Sequence, residues 1–159
     1  MSHRVAKYAA PVRQRTWPGT KLAGNHLEEA EMIKLKRVYD DHERSDGPRF
    51  LVERLWPRGI RKADLTIDGW LKDIAPSDGL RRWFAHDPKK WDLFRKRYFA
   101  ELDSKPEVLE TLLKAARRGT VTLIYSSHDT THNGAVALKD YLETKLKKRA
   151  NHRRHKIAA

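Results

Sequence analysis

The sequence predicts a small α/β domain of three layers with a mostly parallel or mixed sheet. Three observations predict it. Two early segments, "IKLKRVY" (33 to 39) and "RFLVERLW" (49 to 56), have the spacing and residue types of strands. Three later segments carry the apolar period of amphipathic helices. The β-branched run "TVTLIYS" (120 to 126) stands between the second and third of these, so strand, polar loop and helix follow one another, the order of a parallel α/β unit.

Each element has its own signature. Residues 1 to 31 show neither period and are broken by Pro11, Pro18 and Gly24, which predicts a flexible extension. Five cations precede its first acid, as in a transit peptide, but no apolar stretch suits secretion. The patterned region runs from 32 to 146. The loop between its first two strands, "DDHERSDGP", is too short for a helical crossover, so those strands are antiparallel or not neighbours. Segment 64 to 77 is interrupted by Gly69 and halted by Pro76, and its type stays open. Asp87-Pro88 reads as an N-cap with proline at the first helical position. Trp91, Phe94, Tyr98 and Leu102 then share one stripe. Ser104 to Glu107 fits a capping box ahead of a helix that ends at Gly119. Asn133 heads the last helix, "GAVALKDYLETKL".

Composition limits the possible functions. The 159 residues contain no Cys, which removes disulfides, thiolate catalysis and Cys-based zinc sites, and suits a reducing cytoplasm. No apolar run approaches the roughly 20 residues that a membrane span needs. The net charge is +13, unevenly placed: residues 147 to 159 carry six Lys or Arg and no acid, whereas 32 to 146 carry 23 basic and 18 acidic residues. The end from 147 reads as a basic, flexible tail, either solvated or binding nucleic acid by counterion release.

The segments "LVERLWPRG", "WLKDIAPS", "LRRWFAHDPKKWDLFRKRYFAEL" and "VTLIYSSHDTTHNGAVALKDYL" resemble, in this order, the YeaO-like family of small domains. The resemblance spans about residues 32 to 146 and implies an α/β, Rossmann-like fold. It identifies a family more closely than a reaction. Two positions depart from the family pattern. Glu53 stands where Asp is usual, and Gly134 stands where a second His is common, which weakens a histidine metal site.

The unusual residues gather in loops that follow strands, where open α/β sheets place their sites. Arg54 and Arg58 flank a Trp-Pro turn, and guanidinium forks suit phosphate or carboxylate. Asn133 caps a helix start that favours anions, with Gly134 permitting close approach. Trp56 reads as a core lid or as a stacking platform for a ligand ring. Glu53, Asp129 and His86 are the candidate proton-transfer groups; if Glu53 and Asp129 converge, paired carboxylates suit hydrolysis, and otherwise Glu53 is a salt-bridge partner. No metal site is expected, because His128, Asp129 and His132 lack a helical register. No cofactor is expected either, since the chain has no Walker loop and no G-x-G-x-x-G after a strand. The sequence thus predicts a domain, possible hydrolase included, that binds a phosphate-bearing, nucleotide-like molecule. The alternative is a nucleic-acid-binding or regulatory protein that uses the basic surface and tail.

Overall fold

The computed structural model describes residues 33 to 158; the extension assigned to residues 1 to 31 lies outside the described residues. Four short strands form one sheet: β1 (Ile33–Arg37), β2 (Arg49–Leu51), β3 (Gly69–Trp70) and β4 (Val121–Tyr125). All pairings are parallel and the spatial order is β1-β4-β2-β3, with Leu35 opposite Leu123 and Phe50 opposite the same residue on the other side. β4 is central because all five of its residues tolerate burial on both faces. β1 and β2 are therefore not neighbours, as one of the two sequence alternatives held. The ladder of β2 is shorter than predicted. After Leu51 only the Val52 amide still bonds β4, at the Ile124 carbonyl (3.1 Å), and then the chain turns away.

Among the described residues there are four α-helices, α1 (Asp78–Phe84), α2 (Trp91–Asp103), α3 (Pro106–Arg118) and α4 (Gly134–Ile157), and four single 3-10 turns. Strand alternation divides the core in two. Ile33, Phe50, Val52, Leu123 and Tyr125 face the helices, packing with Phe94, Leu112 and Leu138. Leu51 and Ile124 face the other way, where Val38, Leu65, Trp56 and Trp70 cover them. The second cover comes from a segment that contains one 3-10 turn and no α-helix.

Local chemistry sets the helix ends. Ser77 caps α1 by accepting from the Leu80 amide (3.2 Å). Asp87 caps a single 3-10 turn at Pro88–Lys90, and the buried stripe Phe94, Tyr98 and Leu102 follows in α2. The expected capping box at Ser104 does not form. Pro106 occupies the first turn of α3 and keeps the residue before it out of the helical region, so Lys105 becomes the cap and Ser104 instead closes α2 by donating to the Glu101 carbonyl. Asn133 caps α4 as predicted, accepting from the Val136 amide (3.0 Å).

α4 also crosses the boundary that the sequence suggested at residue 146. Leu138, Leu142 and Leu146 anchor its first half in the core, and the helix continues to Ile157 with residues 147 to 158 all exposed. The stretch expected to be a flexible tail is helical because Lys, Arg and Ala favour helix and cations suit a helix C-terminus.

At the start of β2, Arg49 and Asp46 form a fully buried ion pair, and Lys36 reaches the other Asp46 oxygen at 2.8 Å. Burial pushes the Asp46 carboxyl up, but hydrogen bonds from Lys36, the Glu43 amide and Arg49 outweigh it and hold its pKa at about 2.

Candidate functional site

β2 and β4 are adjacent and parallel, yet the chain leaves them toward opposite faces. After β2 it enters the segment covering the helix-free face; after β4 it runs through residues 126 to 133 into α4. Diverging exits of neighbouring strands open a crevice at their C-terminal ends. Here that crevice is a cleft of about 790 Å³.

All seven residues singled out from the sequence line this cleft: Glu53, Arg54, Trp56, Arg58, His86, Asp129 and Asn133. Their states differ. Glu53 is a strap across the floor. One carboxylate oxygen accepts from the Ser126 amide and the other from the Ser126 hydroxyl, both at 2.7 Å, which ties the β2 exit to the β4 exit. Arg37 fixes the same loop from the other side by donating to the Ser127 and Ser126 carbonyls (3.0 and 3.3 Å).

Asp129 organises the loop before α4. It accepts from the amides of Thr131 (2.8 Å) and His132 (2.9 Å), from the Thr131 hydroxyl and from His132 Nδ1, and its own carbonyl accepts from Asn133. Those amides hold its carboxyl well below the usual carboxylate range. Glu53 and Asp129 do share one cleft, but all four of their carboxylate oxygens already accept a bond from the protein. The rings of His132 and Trp91 meet nearly at right angles, with centroids 5.3 Å apart. Among the described residues no three His, Cys, Asp or Glu side chains gather as metal ligands.

The Trp-Pro-Arg-Gly turn closes on itself. The Ile60 amide bonds the Pro57 carbonyl (3.4 Å), and Gly59 sits at φ +76°, a value that the third position of a type II turn requires. Trp56 locks it by donating from Nε1 to the Ile60 carbonyl (2.6 Å), and its ring meets Trp70 edge-on at 5.2 Å. Arg58 stands exposed on the turn. Gly134 has a structural reason as well: a Cβ there would lie 3.3 Å from Pro76.

Arg54 is the cation nearest to the strap in sequence, and it is poorly paired. Its Nε lies 3.8 Å from Asp78 Oδ1, beyond hydrogen-bond reach. Arg81 of α1 meets the same oxygen at 3.1 Å through its terminal nitrogen. In both arginines Nε is shielded from water and has no hydrogen-bond partner. Two guanidinium groups on the cleft wall therefore share one carboxylate. Arg81 was not singled out from the sequence; the signal was its place in "SDGLRR", where a serine-capped helix carries two arginines. The rim is partly apolar, since Tyr39 and Leu55 are 56% and 64% exposed. His86 lies at the cleft edge with φ +55°, directly after Ala85 at φ +45°, two left-handed residues in succession.

Comparison with known proteins gives the lineage. Residues 32–158 match a family model described as the inactive DUF488-N3 subclade. The uncharacterized protein YeaO of Escherichia coli (strain K12) is 46% identical over 112 residues, 70% of this chain and 97% of the relative. The uncharacterized proteins Mb3100c of Mycobacterium bovis and Rv3073c of Mycobacterium tuberculosis are each 39% identical over 110 residues, 69% of this chain and 92% of theirs. No solved structure matches the chain significantly. The family match across the whole described region, and near end-to-end similarity to YeaO, show that this chain belongs to the YeaO-like family, in the subclade described as inactive DUF488-N3.

Proposed function

We propose that this protein is a binding domain whose cleft holds a phosphate-bearing, nucleotide-like small molecule, with Arg54 and Arg81 as the anion-holding pair. The observation that carries the reading is their shared dependence on Asp78, with both Nε atoms dry and unbonded. A donor group without full pairing is unfavourable, and an anion seated against the partly exposed guanidinium groups supplies acceptors that the one shared carboxylate does not. Arg58 and Arg82 add positive charge to the same walls. Its volume lies within the range of small-molecule sites.

The hydrogen bonds that hold the two carboxylates favour binding without turnover. A general base needs a carboxylate oxygen free to accept the proton, and a general acid needs a pKa near the working pH. Both Glu53 oxygens are directed at Ser126, and the Asp129 carboxyl, held well below the usual carboxylate range, is a poor proton donor. The description of the subclade as inactive agrees with this reading and weighs against hydrolysis.

The test is calorimetric titration of the full chain with inorganic phosphate and a nucleoside monophosphate, each against wild type and Arg54→Ala/Arg81→Ala. Loss of one charge-assisted pair is worth about tenfold in affinity or more, so the double variant should lose measurable binding. Binding unchanged in that variant overturns the assignment. Chromatography of the recovered nucleotide tests turnover: cleavage that depends on protein concentration would make the cleft a hydrolase site.

A further inference from the structure

The second half of α4 bears no relation to the cleft and has no role in the core. From Lys147 to Ala158 every residue is exposed, on all sides of three helical turns. This stretch carries Lys147, Lys148, Arg149, Arg153, Arg154 and Lys156, and no acid. Arg149, His152, Arg153 and Lys156 fall at i, i+3, i+4 and i+7, which places them on one face. Arg149 and Arg153 are like charges one turn apart, a pairing that destabilises an isolated helix. Among the described residues none of Lys147, Arg149, Arg153 and Lys156 meets an acid, in contrast to Lys145, which reaches Asp103 at 3.4 Å. The stretch is thus a helical rod on which Lys147, Arg149, Arg153 and Lys156 present positive charge without an acidic partner.

We infer that this rod is a nucleic-acid-binding arm that contacts the phosphate backbone of a duplex without reading its sequence. The charge complement has to be dense and regular, and a duplex offers about one phosphate charge per 1.7 Å of axis. The diameter also fits, since an α-helix with side chains is about 10–12 Å across and the major groove about 12 Å wide. A membrane surface is the poorer occupant. Helices that lie in lipid present an aromatic and aliphatic face, whereas the only large apolar residue exposed on this stretch is Ile157. The proposal does not depend on the cleft binding anything.

The experiment is a fluorescence-anisotropy titration of a labelled 20-base-pair DNA duplex with the full chain, at several salt concentrations. The arm variant is Arg149→Gln/Arg153→Gln/Lys156→Gln, because Gln keeps helix propensity while removing charge. Wild type should bind with an affinity that falls steeply with salt. The arm variant should bind about tenfold more weakly, with a logarithmic salt slope shallower by about 2.7, the value for three phosphates no longer neutralised. The Arg54→Ala/Arg81→Ala variant should bind the duplex as wild type does. Equal affinity and slope for the arm variant overturns the proposal, and loss of binding only in the cleft variant overturns it by moving the duplex to the cleft. Competition supplies the last arm. Displacement of the duplex by poly-glutamate at equal charge, or tighter binding to phosphatidylserine vesicles than to DNA, assigns the rod to an acidic protein or to a membrane and overturns it equally.

Discussion

At the scale of single residues, Glu53 separates what a side chain is from what it does. Its sequence position, at a strand exit before Arg-Leu-Trp-Pro-Arg-Gly, suits a catalytic carboxylate and a structural partner equally. The structure gives it two bonds to Ser126. Glu53→Gln leaves one oxygen to accept and places a second donor against the serine hydroxyl. The expected result is a stability loss of about 2 kcal/mol in urea unfolding, with phosphate affinity at Arg54 and Arg81 little changed. Unaltered unfolding together with lost ligand response would mean that Glu53 serves the ligand instead of the fold. The turn between Arg54 and Arg58 was legible in the sequence, because Pro and Gly mark turns locally. The Glu53–Ser126 strap was not, since the two lie 73 positions apart and only the adjacency of β2 and β4 joins them.

At the scale of elements, the amphipathic pattern located α2, α3 and α4, missed the seven-residue α1, and placed the caps unevenly. Asn133 and Asp87 cap as their sequences suggest, because in each case a side chain stands alone before a helical run. Ser104 failed where two signals competed, and the rigid φ of Pro106 prevailed over the hydroxyl. The strands were harder to delimit. β2 looked eight residues long from its apolar run and is three, since Trp56 belongs to the turn and packs against Trp70 instead of extending the ladder. Asn133 is the cap with most to lose, because it holds both the Val136 amide and the Asp129 carbonyl. Asn133→Ala should cost about 1–2 kcal/mol, read as a lower urea midpoint, and Asn133→Asp should recover the helix cap but not the bond to Asp129. An Asn133→Ala protein as stable as wild type would remove the cap from the account of this loop.

At the scale of the whole molecule, acid acts on the buried Asp46 cluster, because arginines stay protonated throughout the acid range. The folded pKa of Asp46, about 2, lies below its ordinary value of 3.8. The stability it contributes is therefore complete above about pH 4 and lost as pH falls toward 2. Urea midpoints measured from pH 5 to pH 2 should show wild type and Asp46→Asn far apart at the upper end and converging at the lower; a constant gap would mean that Asp46 is not the titrating group. The composition pointed to a basic protein but not to where the charge is presented, because a helix that outruns its own core is visible only once Leu146 is seen to be its last buried residue. That helix has a metric consequence. Its 24 residues measure about 36 Å, and the basic face begins at Arg149, about 22 Å along the axis from the capped end at the cleft. Charges that far apart exceed the Debye length of about 8 Å at physiological salt. α4 is in this sense a ruler: it holds two cationic regions at a fixed interval, too far apart to sense each other through solvent, so that each can carry its own anion and substitutions in the two should add.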